Sequence, residues 1–286
     1  MFSLDLNPVI LNVGSFQISY YLLALVFGFL AALFVLLKSS KEKKIKLSEE
    51  EIYDLIALLI LGTIIGARLF HVVFWGSNYY LQNPIKIFYI WEGGLSFHGG
   101  FLGAFIVILT YSKIKKISFL KIADILVVPA VFFLALGRVA NFFNAEILGK
   151  ISDISWCVVF QGIEGCRHPI QLYAAAGRFA LFFTLIFIQK KFKQRKNGLL
   201  FWTFILLISV GRFASDFLRD EQSFCGLLPG QWFSIVLVII SIYAFKRLHL
   251  LKSPQPCSIE KTFNNSKSKC MIARKYRNPG RFGAAV

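Results

Sequence analysis

Three stretches place polar residues of chemical interest among apolar neighbours. Residues 91–104 read WEGGLSFHGGFLGA and set His98 between two glycine pairs. A neutral imidazole can act as a general base near neutral pH, and paired glycines let the backbone bend and a substrate approach closely. The plainer alternative is a histidine hydrogen-bonded to a nearby carbonyl, holding a re-entrant turn in place. Residues 137–150, GRVANFFNAEILGK, put Arg138, Asn141 and Asn144 at i, i+3 and i+6, one face of a helix, with Glu146 just beyond. In GRFASDFLRD, residues 211–220, Arg212 and Asp216 stand at i, i+4, and Arg219 continues the stripe. Any one of these arginines alone is as readily a packing partner of a carboxylate as a binding group. Three or four converging at one depth, with Arg68 among them, repel each other in a low dielectric, and an anion relieves that repulsion. A phospholipid phosphate is the obvious anion there, and arginine's planar fork suits it.

The elements that must hold these groups are set by composition. Of 286 residues, 56% are hydrophobic and 16% aromatic, including 31 Phe, and only 16% are charged. Ordinary globular chains are nearer 45–50% apolar and about 25% charged. Seven apolar stretches, roughly 20–37, 52–74, 94–111, 122–143, 170–188, 199–217 and 231–245, are long enough to cross a bilayer as helices. The fold expected is therefore all-α: a polytopic membrane protein with seven transmembrane helices.

The net charge of +17 is distributed in a way that points to topology rather than to nucleic acid. Most Lys and Arg fall into four runs: Lys38 to Lys46 after the first span, Lys113 to Lys121 after the third, Lys190 to Lys196 after the fifth, and from Lys246 to the end. The intervening connections hold far fewer. By the positive-inside rule the N-terminus faces out, or periplasmically, and the C-terminus faces the cytoplasm. Residues 1–37 lack a basic leader and a small-residue cleavage site and carry Asp5, so they read as the first span rather than a signal peptide. Residues 246–286 turn to Lys, Asn, Ser, Arg and Pro and read as a disordered basic tail beside anionic lipid, leaving 1–245 as the transmembrane catalytic domain. The short outward loop at 145–168 holds Cys157 and Cys166, for which free thiols are favoured over a bridge. No cluster of metal ligands is evident, and neither a metal nor another cofactor is expected; no internal repeat is evident either, which counts against a transporter built from inverted halves. The polar residues inside the spans then gather towards the outward ends, which places the site on that side.

GGLSFHGGFLG, GRVANFFNAEILG, HPIQLYAA (168–175) and GRFASDFLRD resemble, in order and spacing, the motifs of the prolipoprotein diacylglyceryl transferase family, from about Pro8 to Phe245. The resemblance implies a bacterial inner-membrane enzyme whose active site opens to the periplasmic side. It would transfer the diacylglyceryl group of phosphatidylglycerol to the lipobox cysteine of a prolipoprotein, giving a thioether and glycerol 1-phosphate. It also implies that Arg138 and Arg212 bind the phosphatidylglycerol head group and that His98 takes part in activity; the residue that takes the thiol proton is read as His98, with His71 and Glu146 behind it. Tyr21, Asn141, Gly149, Gln171 and Tyr173 match further positions of the site, and Arg68 joins the substrate-binding set by its place late in span two.

Several positions depart from the family's pattern. Leu22, His71, Trp75, Ala145, Ala174 and Ile208 stand where a glycine, two tyrosines, a glycine, an acidic residue and a tyrosine are common. The chemistry fits the residues independently of the resemblance. A thiol must lose its proton to attack carbon, and arginines stabilise a departing phosphate. A transporter of an anionic solute would also use intramembrane arginines, but it needs them near the midplane and open to both sides.

Overall fold

The computed structural model describes residues 2–4, 9–13, 16–248 and 250, with side chains from Tyr20 onward. Three short strands come first: β1 (Phe2–Leu4), β2 (Val9–Val13) and β3 (Phe16–Ser19), with β2 and β3 antiparallel. The helices follow: α1 (Tyr20–Lys41), α2 (Glu49–Phe74), a short α3 (Ser77–Gln82), α4 (Phe97–Ile114) and α5 (Phe119–Phe143). After β4 (Val158–Phe160) come α6 (Ile170–Lys191), α7 (Leu199–Ser215) and α8 (Pro229–Arg247). All but α3 are long and apolar enough to cross a membrane, which makes seven. Their bounds lie within a few residues of the apolar stretches. Lys246 and Arg247 close α8, and the rest of the expected tail, residues 251–286, lies outside the described residues.

The membrane-length helices alternate in direction, so the first three lysine runs share one end of the bundle with Lys246 and Arg247. At this lysine-rich end α2 opens with a capping box: Ser48 Oγ accepts from the Glu51 amide at 3.1 Å, and the Glu51 carboxylate accepts from the Ser48 amide at 2.9 Å. Glu51 also receives Lys115 at 2.7 Å, tying α2 to the end of α4. The N-terminus of α7 has no side-chain cap of its own. Asp124 of α5 supplies one from across the bundle, accepting from the Gly198 and Phe201 amides at 2.8 Å each. Buried Leu36, Ile52, Leu55 and Ile122 fill the space between α1, α2 and α5, and Val131, Leu185, Leu200 and Phe204 that between α5, α6 and α7.

The glycines around His98 divide into two jobs. Gly93 and Gly94 have φ of +88° and +73° and turn the chain into α4. Gly99 and Gly103 lie inside α4 and meet Gly62 and Gly66 of α2, two small-xxx-small faces in contact. A Cβ on Gly66 would stand 2.4 Å from the Gly99 carbonyl oxygen, and one on Gly103 2.0 Å from that of Gly62. The second pair thus serves helix packing, where the sequence suggested a bend and substrate approach.

At the lysine-poor end a small cap covers the bundle between α5 and α6. β4 pairs in parallel with β1, and Val158 and Arg167 exchange backbone hydrogen bonds of 3.0 and 2.9 Å. That pairing sets the adjacent residues, Cys157 and Cys166, opposite each other with Cα atoms 5.4 Å apart, and they form a disulfide. The expectation of free thiols is corrected accordingly: the chain between them, residues 158–165, folds back as a hairpin-like loop, which cysteine spacing alone does not reveal. Arg167 holds the cap to the chain beyond α7, pairing with Asp220 at 2.6 Å and donating to the Gly149 carbonyl at 3.0 Å.

Candidate active site

Where α5 and α7 end and α6 begins, one pocket is lined by four arginines: Arg138 of α5, Arg178 of α6, and Arg212 and Arg219 of α7 and the turn after it. Gln171, Asp216, Ile147 and Ala174 complete its polar floor and apolar wall. It is a small pocket, partly open to its surroundings. Arg212 Nε lies 3.6 Å from buried Asp216 Oδ2, too long for a hydrogen bond, and that oxygen has no hydrogen-bond partner among the described residues. The guanidinium, two-fifths exposed, therefore keeps donors free for a ligand. Arg219 is held 3.1 Å from Glu221.

Beside the pocket, the signature residues form one network. Arg138 donates to Asn141 Oδ1 at 3.2 Å, and Asn141 Nδ2 donates to Glu146 at 2.7 Å. The Tyr21 hydroxyl donates to the same carboxylate oxygen at 2.8 Å, and Asn144 reaches the other at 3.1 Å. Three donors on one carboxylate suit its ionised form, and they join α1 to the end of α5. Buried Gln171 donates to the Glu146 carbonyl at 2.7 Å and so holds the turn in which Ala145 and Ile147 adopt positive φ, +51° and +56°. Such backbone in β-branched isoleucine is strained and persists only where its surroundings enforce it.

The structure brings Arg138, Arg212 and Gln171 to the pocket and Tyr21, Asn141 and Glu146 to its side. Four expected residues lie elsewhere. Gly149 is a packing position: a Cβ there would stand 2.3 Å from the His168 carbonyl oxygen, and its backbone pairs with Arg219. The Tyr173 hydroxyl accepts from Trp156 Nε1 at 2.7 Å on the cap. Arg68 is 5% exposed and spends its guanidinium on five backbone carbonyls, those of Lys86, Ile87, Tyr89, Gly93 and Gly94, at 2.5 to 3.1 Å. It anchors the connection between α2 and α4 and is not among the residues lining the pocket. His98 is exposed on the first turn of α4, with its ring 6.3 Å from that of Phe70 and 6.0 Å from that of Phe97. It too is not among the residues lining the arginine pocket. Arg178, which the pocket includes, was missed by the sequence reading. A signal existed: Gly-Arg occurs at 137–138, 177–178 and 211–212, once on each of α5, α6 and α7.

A seven-span bundle with an arginine-lined pocket at one end, beside a carboxylate held by three donors, describes a multi-pass membrane protein. The family model described as prolipoprotein diacylglyceryl transferase matches residues 8–247, and the chain belongs to that family of transferases. Among its relatives, the phosphatidylglycerol–prolipoprotein diacylglyceryl transferase of Geobacter sulfurreducens is 37% identical over 79% of this chain and 86% of its own length. Those of Polynucleobacter asymbioticus and Bordetella parapertussis are 32% and 35% identical over 84% and 82% of this chain, covering 95% and 92% of theirs.

Proposed function

We propose that this protein transfers the diacylglyceryl group of phosphatidylglycerol to the lipobox cysteine of prolipoproteins, at the periplasmic face of a bacterial inner membrane. The observation that carries this reading is the convergence of arginines from α5, α6 and α7 on one small pocket beside the Glu146 network. The head-group phosphate enters that pocket, held by the forks of Arg138 and Arg212, while the acyl chains stay in the membrane. The peptide sulfur attacks the phosphate-bearing carbon of the diacylglycerol half of the lipid, so that glycerol 1-phosphate leaves. The carbon–oxygen bond breaks, its electron pair stays on the phosphate, and the arginines stabilise the charge that develops there.

In this reading His98 receives the thiol proton. Its ring is exposed and makes no hydrogen bond to a described residue, so both nitrogens can meet an incoming peptide. A displacement in line needs the nucleophile and the leaving group on opposite sides of the carbon, and His98 on α4 stands apart from the arginines on α5 to α7. Glu146 positions Asn141 and Tyr21. Purified protein incubated with phosphatidylglycerol and a lipobox peptide should increase the peptide's mass by one diacylglyceryl group. Unchanged mass with phosphatidylglycerol present would overturn the reading.

A further inference from the structure

We propose that Arg178 is a third phosphate-holding arginine, whose charge serves the leaving group more than the bound lipid. The inference deepens the reading above and rests on it. Arg178 stands seven residues after Gln171 and four after Ala174, so all three share the face of α6 that lines the pocket. It lies about two turns inside the helix. One of its Nη atoms donates to the Ala174 carbonyl at 2.8 Å, while its Nε is buried without a partner among the described residues. A buried guanidinium nitrogen without an acceptor is costly, and an oxygen of a bound anion would satisfy it.

Charge accounting points the same way. Arg219 has Glu221, and Arg212 has Asp216. Among the described residues neither Arg138 nor Arg178 has a carboxylate within ion-pair distance, and Arg138 reaches Glu146 only through Asn141. The pocket therefore carries two guanidinium charges with no direct counterion. A phosphodiester brings one negative charge. When the thiol gives up its proton and sulfur replaces the phosphate oxygen on carbon, the departing phosphate monoester carries a second. Two uncompensated arginines match the product of bond cleavage better than the substrate, which is the condition for an interaction to raise turnover rather than binding alone.

The test compares Arg178→Gln and Arg178→Lys with the full-length protein in phosphatidylglycerol micelles. It measures kcat and KM for the lipid, inhibition by sn-glycerol 1-phosphate, and calorimetric binding of the same compound without peptide. Arg178→Gln should lower kcat by about 10²-fold, the usual cost of one oxyanion donor, with KM changed less than about threefold, and should weaken glycerol phosphate by about tenfold or more. Arg178→Lys, which keeps the charge, should recover much of both. Turnover of Arg178→Gln within twofold of the parent overturns the proposal. So does lost turnover with unchanged glycerol phosphate affinity, and so does failure of both variants to fold, since Arg178 is then a packing residue. If the parent protein does not lipidate the peptide but still binds glycerol phosphate through Arg178, the anion site stands and the transferase reading falls.

Discussion

Arg138 and Arg212 reach the same pocket but are braced differently, and that difference sets what each substitution should do. Arg138 is aimed by Asn141, which Glu146 fixes in turn, whereas Arg212 has only a long contact to Asp216. Lysine keeps the charge at either place but replaces a rigid fork by a single point on a flexible stem. Arg138→Lys and Arg212→Lys should each lower lipidation of a peptide by at least about tenfold in a mass-spectrometric assay; near-parental rates would make the role purely electrostatic. Arg138, Asn141 and Glu146 were legible in the sequence because helical spacing puts two of them on one face. Arg68 was not, because its partners are backbone carbonyls of residues 86–94, and carbonyls carry no sequence signal. Arg178 hid in a span whose remaining residues are almost all apolar.

Between α2 and α4 the decisive residues carry no side chain at all. Gly66 sits against the Gly99 carbonyl, while Gly137 of α5 has nothing within 4 Å of where a Cβ would lie. Gly66→Val should therefore force the two helices apart and lower the thermal midpoint in detergent sharply, while Gly137→Ala should leave that midpoint within a degree or two. Equal effects would show that the close approach is not what holds the pair. The cap depends on a covalent tie instead. Removing the Cys157–Cys166 bridge in Cys157→Ser/Cys166→Ser should cost the cap about 2–3 kcal/mol on the loop-entropy account for a separation of 9 residues. Protease cleavage between residues 150 and 168, with the bundle intact, would report that loss; an unchanged cleavage rate would refute it. The seven spans were legible from hydropathy, whereas the cap was not, since its short strand and crossed pairings are contacts between distant residues.

On the scale of the whole molecule, the charges of the described residues are sorted by end. The lysine-rich connections after α1, α4 and α6, with Lys246 and Arg247, stand at one end of the bundle, and Arg68, Arg138, Arg167, Arg178, Arg212 and Arg219 towards the other. If the lysine-rich end faces the cytoplasm, cysteines placed at 81 and 161 should react in intact cells with an impermeant thiol reagent. Those at 43, 116 and 193 should not. The labels belong in a chain whose Cys225, Cys257 and Cys270 are serine, and the reverse pattern would invert the assigned orientation.

The anchoring of Arg68 also constrains how the chain is assembled during synthesis. All five of its acceptors lie in residues 86–94, which leave the ribosome after α2 is complete. Until they arrive, the Arg68 guanidinium lacks all five of its carbonyl acceptors and has, of its native partners, the Tyr80 ring 5.0 Å away. The Arg68 contacts therefore tie α2 to the connection that leads into α4, and they can form only after that connection has been made. A chain halted before residue 86 has the arginine but none of these five acceptors.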